Sequence, residues 1–521
     1  MRLVCKKYEQ LPRLAWLMTV RRGEETAEIV HGPWIETRAG FICDGAWDGA
    51  FEEGRTDEAC MAAGFGVRAT NDRLVVSTPN HPYESVYTYR TDDRLLISPS
   101  LAFVLQTSGR RLSLQYIPYS ALILESLSGL EHHEWSLPLE NGEMLQAFRM
   151  RNLSVDSDLT LTTEHKMNPP AFPDYAAYRD FLVSGLQRLT ANANDPQRDR
   201  RYPPLATISS GYDSCACAAL SLELGCTEAI TITSSRKMKS ADTSDDLDDS
   251  GTPIANALGL NVREYERDAY KQAPGLPEAE FMALGSLGQD LVMRNLEEPV
   301  AQQMVLSGSH GDAVWTYHSR HPNVRDVVRR DPADSSLGEF RMRVGFVWVP
   351  VPVFGSVGFP DINRITRSEE LNPWSVGGEY DRPIPRRLVE EHGVDRSLFG
   401  TKKRAITVLL DSPASISALL TPNSLKSFRE FFALHRRTRK PGQQLLYSFM
   451  HRINRALALG INFANRVFRR LQLGIKIPNP MPLRFQHDPG ESSFLVHWGL
   501  ENVMPRYILE EDETAATADS R

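Results

Sequence analysis

The segment Ile208-Ser209-Ser210-Gly211-Tyr212-Asp213-Ser214 concentrates residue types that handle phosphate. It follows a short apolar run at 205–208 and precedes a helical pattern over 215–224, so it reads as the turn between a buried strand and a helix. Such a turn aims backbone N–H groups at an anion, and the helix dipole favours negative charge at that end. Gly211 permits close backbone approach, and Ser209, Ser210 and Ser214 add hydroxyl donors. Asp213 is an odd neighbour for a phosphate unless a magnesium ion lies between them. The residue types predict a cradle for a magnesium polyphosphate. The competing reading is a Ser/Gly loop whose aspartate caps a helix.

The surrounding elements suit that placement. Runs at 205–208, 229–233 and 261–265 are short and apolar or β-branched, and helical patterns at 215–224 and 252–258 separate them, the second ending at Gly259. Strand–helix–strand–helix–strand predicts a parallel sheet with covered faces. Upstream, Asp174 caps a predicted helix with Tyr178, Phe181, Leu182, Leu186 and Leu189 on one face, after a stiff Pro-rich linker at 168–173. The first 150 residues alternate short apolar runs with polar turns, which predicts antiparallel sheet, with helices at 101–106 and 114–127. Residues 424–475 are helical and basic, and the acidic end at 510–521 is expected to be disordered. There is no internal repeat.

Composition bounds the function. The chain has 521 residues, 59 Lys and Arg against 66 Asp and Glu, and a net charge of −7. That length suits two to four domains, and mild acidity argues against a general nucleic-acid binder. No apolar run reaches the ~18–20 residues of a membrane span, and the N-terminus shows no signal peptide. Six cysteines without a CxxC pair fit a reducing cytoplasm and exclude a cysteine-rich zinc or iron–sulfur site.

The loop resembles the PP-loop, SGGxDS, of N-type ATP pyrophosphatases, with Ser210 in place of the first glycine. It lacks the GK[ST] of a Walker A loop, and the resemblance implies AMP and pyrophosphate as products. Further segments resemble the asparagine synthetase-like enzymes in the right order. Ser307-Gly308-Ser309-His310-Gly311-Asp312 is similar to their SGxGxD motif, which implies that Ser307 and Gly308 line the AMP pocket and that Asp312 joins Asp213 as a magnesium ligand. Val357 to Asp361 resembles a degenerate RxPFLD stretch, with Ser356 where arginine is usual. Phe399 to Lys403 resembles the RxK segment, with Lys402 at the lysine position that stabilises charge on the reacting acyl-adenylate. Residues 248–259 match the family's acidic-helix segment. Together, Ile208, Ser209, Ser210, Gly211, Asp213, Ser214, Ser307 and Gly308 are the implied nucleotide-binding residues.

The front of the chain loosely follows the family's glutaminase domain, from Gly64-Phe65-Gly66 through 126–142. That domain needs a cysteine directly after the initiator methionine; Arg2 stands there, and Cys5 cannot replace it, so the glutaminase reads as dead. The resemblance implies a degenerate Ntn-hydrolase-like αββα sandwich over 1–160 and a parallel-sheet, adenine nucleotide α-hydrolase-like PP-loop domain over 170–505. The implied activity is ATP- and Mg-dependent adenylation of a small-molecule or peptide carboxylate, then amide formation with an amine or ammonia, as in β-lactam synthetases and lasso-peptide cyclases. It leaves a homodimer open.

The general base is where the chain departs most. Family members carry glutamate or tyrosine where Ser309 stands, and the next residue, His310, titrates in the useful range and is the candidate base. Glu379, Tyr380 and Asp381 are other polar candidates. Rival functions are another PP-loop adenylase, acting on tRNA or a small molecule, and a pseudoenzyme that binds without turnover. His132-His133 with Glu131 and Glu134 read as surface residues, because neighbours on one element point apart. Arg436 to Lys440 and the amphipathic stretch after them read as a solvated face over a buried one, or else as a dock for a membrane surface or acidic partner.

Overall fold

The computed structural model describes residues 1–119, 122, 133–235, 247–284, 288–318, 333–378, 380–398, 410, 412–470, 477 and 490–509. The protein is mixed α/β with several sheets. Residues 2–165 supply two of them. The first is ordered Arg2–Lys7, Thr26–His31, Trp16–Arg21, Arg94–Ser98, Val86–Arg90, Met144–Phe148 and Glu134–Pro138; the second is ordered Leu161–His165, Arg151–Val155, Leu74–Ser77, Gly66–Ala69, Phe41–Cys43 and Glu36–Arg38. Most neighbours pair antiparallel, as the polar turns predict. Arg2–Lys7 departs from that expectation and runs parallel to Thr26–His31. Trp16–Arg21 holds the other edge of that strand, so the first strand reaches its partner by a crossover. Leu17, Ile29 and Leu96 of one sheet and Val67, Val76 and Leu153 of the other share one core.

The predicted helix at 101–106 is Leu101–Ser108, with Ser100 accepting from Phe103 N and Gly109 closing it at φ 66°. The expectation at 114–127 fails at its start: residues 114–118 are turn and irregular chain, since Pro118 cannot donate and biases the residue before it toward extended backbone. Most of the remainder lies outside the described residues. The Pro-rich segment is less free than a linker. Phe172 is buried and packs at 5.1 Å on both Tyr178 and Phe181 of the helix Tyr175–Ala193, whose N-cap is Asp174 as predicted.

The remaining large sheet is all parallel, ordered Asn261–Tyr265, Glu228–Ile232, Pro204–Thr207, Met304–Ser307 and Val347–Pro350. Its side chains alternate between two cores. Ala206, Ala229, Leu306 and Val347 join the helices Tyr175–Ala193 and Tyr212–Leu222 on one face, and Leu205, Ile230, Val305 and Trp348 join Phe281, Phe340 and Trp498 on the other. The chain begins this sheet at Pro204–Thr207, moves outward to one edge, then returns to the opposite side of its starting strand. That reversal opens a crevice between the carboxyl ends of Pro204–Thr207 and Met304–Ser307.

The two parts of the chain are tied through buried charge. Arg341, on the helix Gly338–Val344, lies between Glu84 at 2.5 Å and Asp44 at 3.3 Å. Glu339 accepts from Ser100 Oγ at 2.6 Å and from Tyr507 Oη at 2.5 Å. Leu500, Val503, Met504 and Tyr507 from the C-terminal end pack in the core of the first two sheets.

Two surface expectations are corrected. His133 is half-buried, and burial, with Arg151 next, pushes its imidazole down to about 4; Glu134 is exposed, while Glu131 and His132 lie outside the described residues. The basic helical region forms Pro422–His435 and Pro441–Arg470, yet Leu445, Leu446, Phe449, Met450, Ile453, Leu457, Leu459 and Phe463 of the second helix are exposed where a buried face was expected. Periodicity shows that a helix has an apolar stripe and is silent on what covers it. No helix among the described residues is long and apolar enough to cross a membrane, and none of the six cysteines forms a disulfide.

Candidate functional site

The crevice at the sheet's reversal point holds a cavity of about 250 Å³. Its rim is the Ser-rich loop after Pro204–Thr207 and the loop after Met304–Ser307; Ile230, Ile232, Val292, Met293, Leu296 and Trp348 make an apolar wall. Ile208, Ser209, Gly211, Asp213, Ser214, Ser307, Gly308, Ser309, His310 and Asp312 all line it. Ser210 does not: its hydroxyl turns to Asp249 at 2.5 Å, and its N–H donates to the Asp249 carbonyl at 3.1 Å. Expected as a ligand donor, Ser210 instead pins the loop to the neighbouring strand's exit.

The first loop folds on its own hydroxyls. Ser209 N donates to Ser214 Oγ at 3.1 Å, the two hydroxyls lie 2.8 Å apart, and Gly211 N donates to Ser209 Oγ at 3.2 Å. The helix Tyr212–Leu222 that follows has Gly211 as its N-cap and no side-chain capping bond. Asp213 is therefore not the cap that the competing reading made it. It sits in the first turn of a helix whose N-cap glycine supplies no side-chain acceptor.

Glycine at two positions brings the loops into contact. A Cβ at Gly308 would lie 2.3 Å from Ser214 N, and one at Gly311 would lie 2.5 Å from Asp213 Cγ. The second loop therefore rests directly on the first turn of the helix, which sets Asp312 and Asp213 on one rim. Within that loop Ser307 Oγ and Ser309 Oγ are 2.5 Å apart, and Ser309 N donates to Ser307 Oγ at 3.1 Å. His310 occupies the left-handed region at φ 64°, where histidine is tolerated better than branched residues. Its ring is buried 5.0 Å from Tyr83, and Nε2 meets the Ala333 carbonyl at 3.2 Å.

Sequence reasoning missed Arg382. Its guanidinium donates to Asp213 Oδ2 and lies 4.4 Å over the Tyr380 ring, which stacks at 5.0 Å on Tyr212. No spacing rule links positions 169 residues apart, so nothing local could have flagged it. Asp249, also missed, does fall inside the 248–259 segment. Burial first, then the Asp213 charge, pushes the Tyr380 hydroxyl well above its ordinary range, so it keeps its proton. Asp381 is turned away, accepting from Ser375 Oγ, Val376 N and Gly377 N.

Asp213 Oδ1 is buried and has no hydrogen-bond partner among the described residues. An orphaned carboxylate oxygen is costly to bury unless a cation or donor completes it. Among the described residues no group of three or more His, Cys, Asp or Glu is arranged to hold a metal. A hard cation here would take two carboxylates at most, with ligand oxygens and water supplying the rest, as magnesium does with phosphates. The residues present fit such an ion.

The degenerate RxPFLD-like stretch is not brought to the cavity. Asp361 accepts from Phe172 N at 3.0 Å and pairs with Arg364, fastening the Pro-rich segment. Lys402, Lys403 and Glu379 lie outside the described residues. No family model matches this chain, and no curated protein matches it.

Proposed function

We propose that the cavity binds ATP with magnesium and that the protein joins a carboxylate to an amine or ammonia through an acyl-adenylate, releasing AMP and pyrophosphate. The observation that carries this reading is the hydroxyl-lined, side-chain-uncapped helix start beside the buried orphan oxygen of Asp213, all at the sheet's reversal point. The apolar wall from Ile230 to Trp348 suits a planar base, and the rim of N–H groups and hydroxyls suits phosphates. On this reading residues 1–160 are a degenerate Ntn-hydrolase-like sandwich and 170–505 a PP-loop domain.

The chemistry divides among these residues. A carboxylate oxygen of the substrate bonds to the α-phosphorus while the bond to pyrophosphate breaks; helix N–H groups and Ser209 and Ser214 hold the departing charge. Asp213 and Asp312 would hold magnesium, which supplies charge neutralisation on the polyphosphate. The amine nitrogen then bonds to the acyl carbon, AMP leaves with its electron pair, and the amine proton passes to a base. On this reading His310, whose Nε2 lies 3.2 Å from the Ala333 carbonyl, is that base. Lys402 takes the role of stabilising the charged intermediate. The acyl and amine substrates are small molecules or peptides.

A second reading, a nucleotide-binding module without turnover, is favoured by one observation: Arg382 already neutralises Asp213. ³¹P NMR of the protein with Mg-ATP and a pool of small carboxylates and amines tests both, beside Asp213→Asn. AMP and pyrophosphate from the wild type alone support ligation. Binding by calorimetry with ATP left intact supports the module, and ADP with phosphate overturns both.

A further inference from the structure

We infer that the helix Pro441–Arg470 lies on the surface of an anionic lipid bilayer. It is anchored at its start: Arg439 is buried, donating to Leu114 O at 2.8 Å and to Ser493 Oγ at 2.5 Å with its guanidinium 3.7 Å over Phe494. Lys440 N donates to Gln115 Oε1 at 3.1 Å. Beyond that anchor the helix runs 30 residues, about 45 Å, with eight large apolar side chains exposed and Ile461, Val467 and Phe468 half-buried. Leu445 is 70% exposed, Phe449 61%, Leu457 58% and Phe463 69%. At 100° per residue these four, with Leu446, Ile453 and Met450, fall within an arc of about 140°. Exposed apolar stripes of this size mark an interaction face.

Charge selects the partner. From Phe431 to His487 the sequence has eleven Lys and Arg and no Asp or Glu, while the other 48 Lys and Arg face 66 Asp and Glu. A strongly basic segment in an acidic protein complements a negative surface. Arg452 falls on the edge of the apolar arc, where a long side chain reaches from the hydrocarbon boundary to headgroups. Arg452 and Arg455 in mid-helix bar a transmembrane orientation. Pairing with a second copy would set arginine against arginine with no acid in the helix to relieve it, and the arc is wider than a coiled-coil seam.

The test is flotation of the full-length protein with vesicles of two parts phosphatidylcholine to one part phosphatidylserine, and with pure phosphatidylcholine vesicles. Flotation with the anionic vesicles only, lost in Leu446→Glu/Phe449→Glu/Leu457→Glu, supports the inference. Arg452→Gln/Arg455→Gln should lower the partition coefficient by about 30-fold. Melting curves of both variants should match the wild type, because every altered side chain is exposed. No flotation, or equal flotation on neutral vesicles, overturns it. A dimer abolished by the triple substitution in the absence of flotation would assign the face to a second copy instead. None of these outcomes depends on ATP.

Discussion

Gly308→Ala isolates the contact between the two loops. The added methyl carbon would lie 2.3 Å from Ser214 N, 2.4 Å from Asp213 C and 2.6 Å from Ser214 Cα, all backbone atoms, whereas ordinary contact begins at 3.4 Å. No side chain can swing aside, so the loops must part by about 1 Å, at a cost in stability of about 1–3 kcal/mol. A displacement of that size between groups that position a reacting phosphate lowers turnover by about a hundredfold. Gly211→Ala is the control. Its nearest neighbours are Tyr380 Oη at 3.4 Å and Ser209 Oγ at 3.5 Å, and its φ is −84°, so alanine should change stability by less than about 1 kcal/mol. Urea unfolding of both variants, with Mg-ATP titration by calorimetry on Gly308→Ala, reads fold and site separately. Wild-type stability and nucleotide affinity in Gly308→Ala, or equal destabilisation by the two substitutions, would refute the packing argument.

Arg382→Met removes the guanidinium from Asp213, so nucleotide binding should reach half-saturation at lower Mg²⁺; an unchanged or higher requirement in a Mg²⁺ titration argues against a metal on Asp213. Lys166 is buried with Nζ on Asn152 Oδ1 at 3.0 Å, and burial, opposed by Asp57, pushes it down to about 7. An unfolded lysine keeps its proton to about pH 10.4, so above about pH 7 the unfolded chain binds the extra proton and stability rises with pH. Lys166→Met should therefore raise Tm more at pH 7 than at pH 9, and equal shifts in melts at the two pH values speak against the buried ammonium. Arg341→Met strands Asp44 and Glu84 as buried carboxylates and should destabilise by about 3–5 kcal/mol in urea. Adding Glu84→Gln should recover part of that loss; no recovery would mean the arginine acts mainly through packing.

How far the sequence could be read follows the range of the forces involved. The Ser209–Ser214 turn, the Asp174 cap and the alternation of the parallel strands are local and were legible. The contact of Gly308 and Gly311 with the other loop was not, because a motif shows that a glycine is present without showing what it touches. Arg382 and Gln289 reach the cavity from distant segments that have no periodic signature. The parallel pairing of Arg2–Lys7 depends on which edge of Thr26–His31 was still open. Whether the stripe of Pro441–Arg470 is buried or docks a surface stayed open, because amphipathicity is the same whether protein or bilayer is the apolar neighbour.

The packing of Met504–Tyr507 on the helix Leu101–Ser108, with the Tyr507 ring stacked 4.7 Å from that of Phe103, also sets a schedule during translation. At roughly 5–20 residues per second, roughly 20–80 s separate synthesis of Phe103 from that of Tyr507. For that interval the helix Leu101–Ser108 leaves the ribosome with part of its apolar surface uncovered, because the residues that cover it are still to be made. A chain stopped before residue 500 would therefore never bury that surface of the helix.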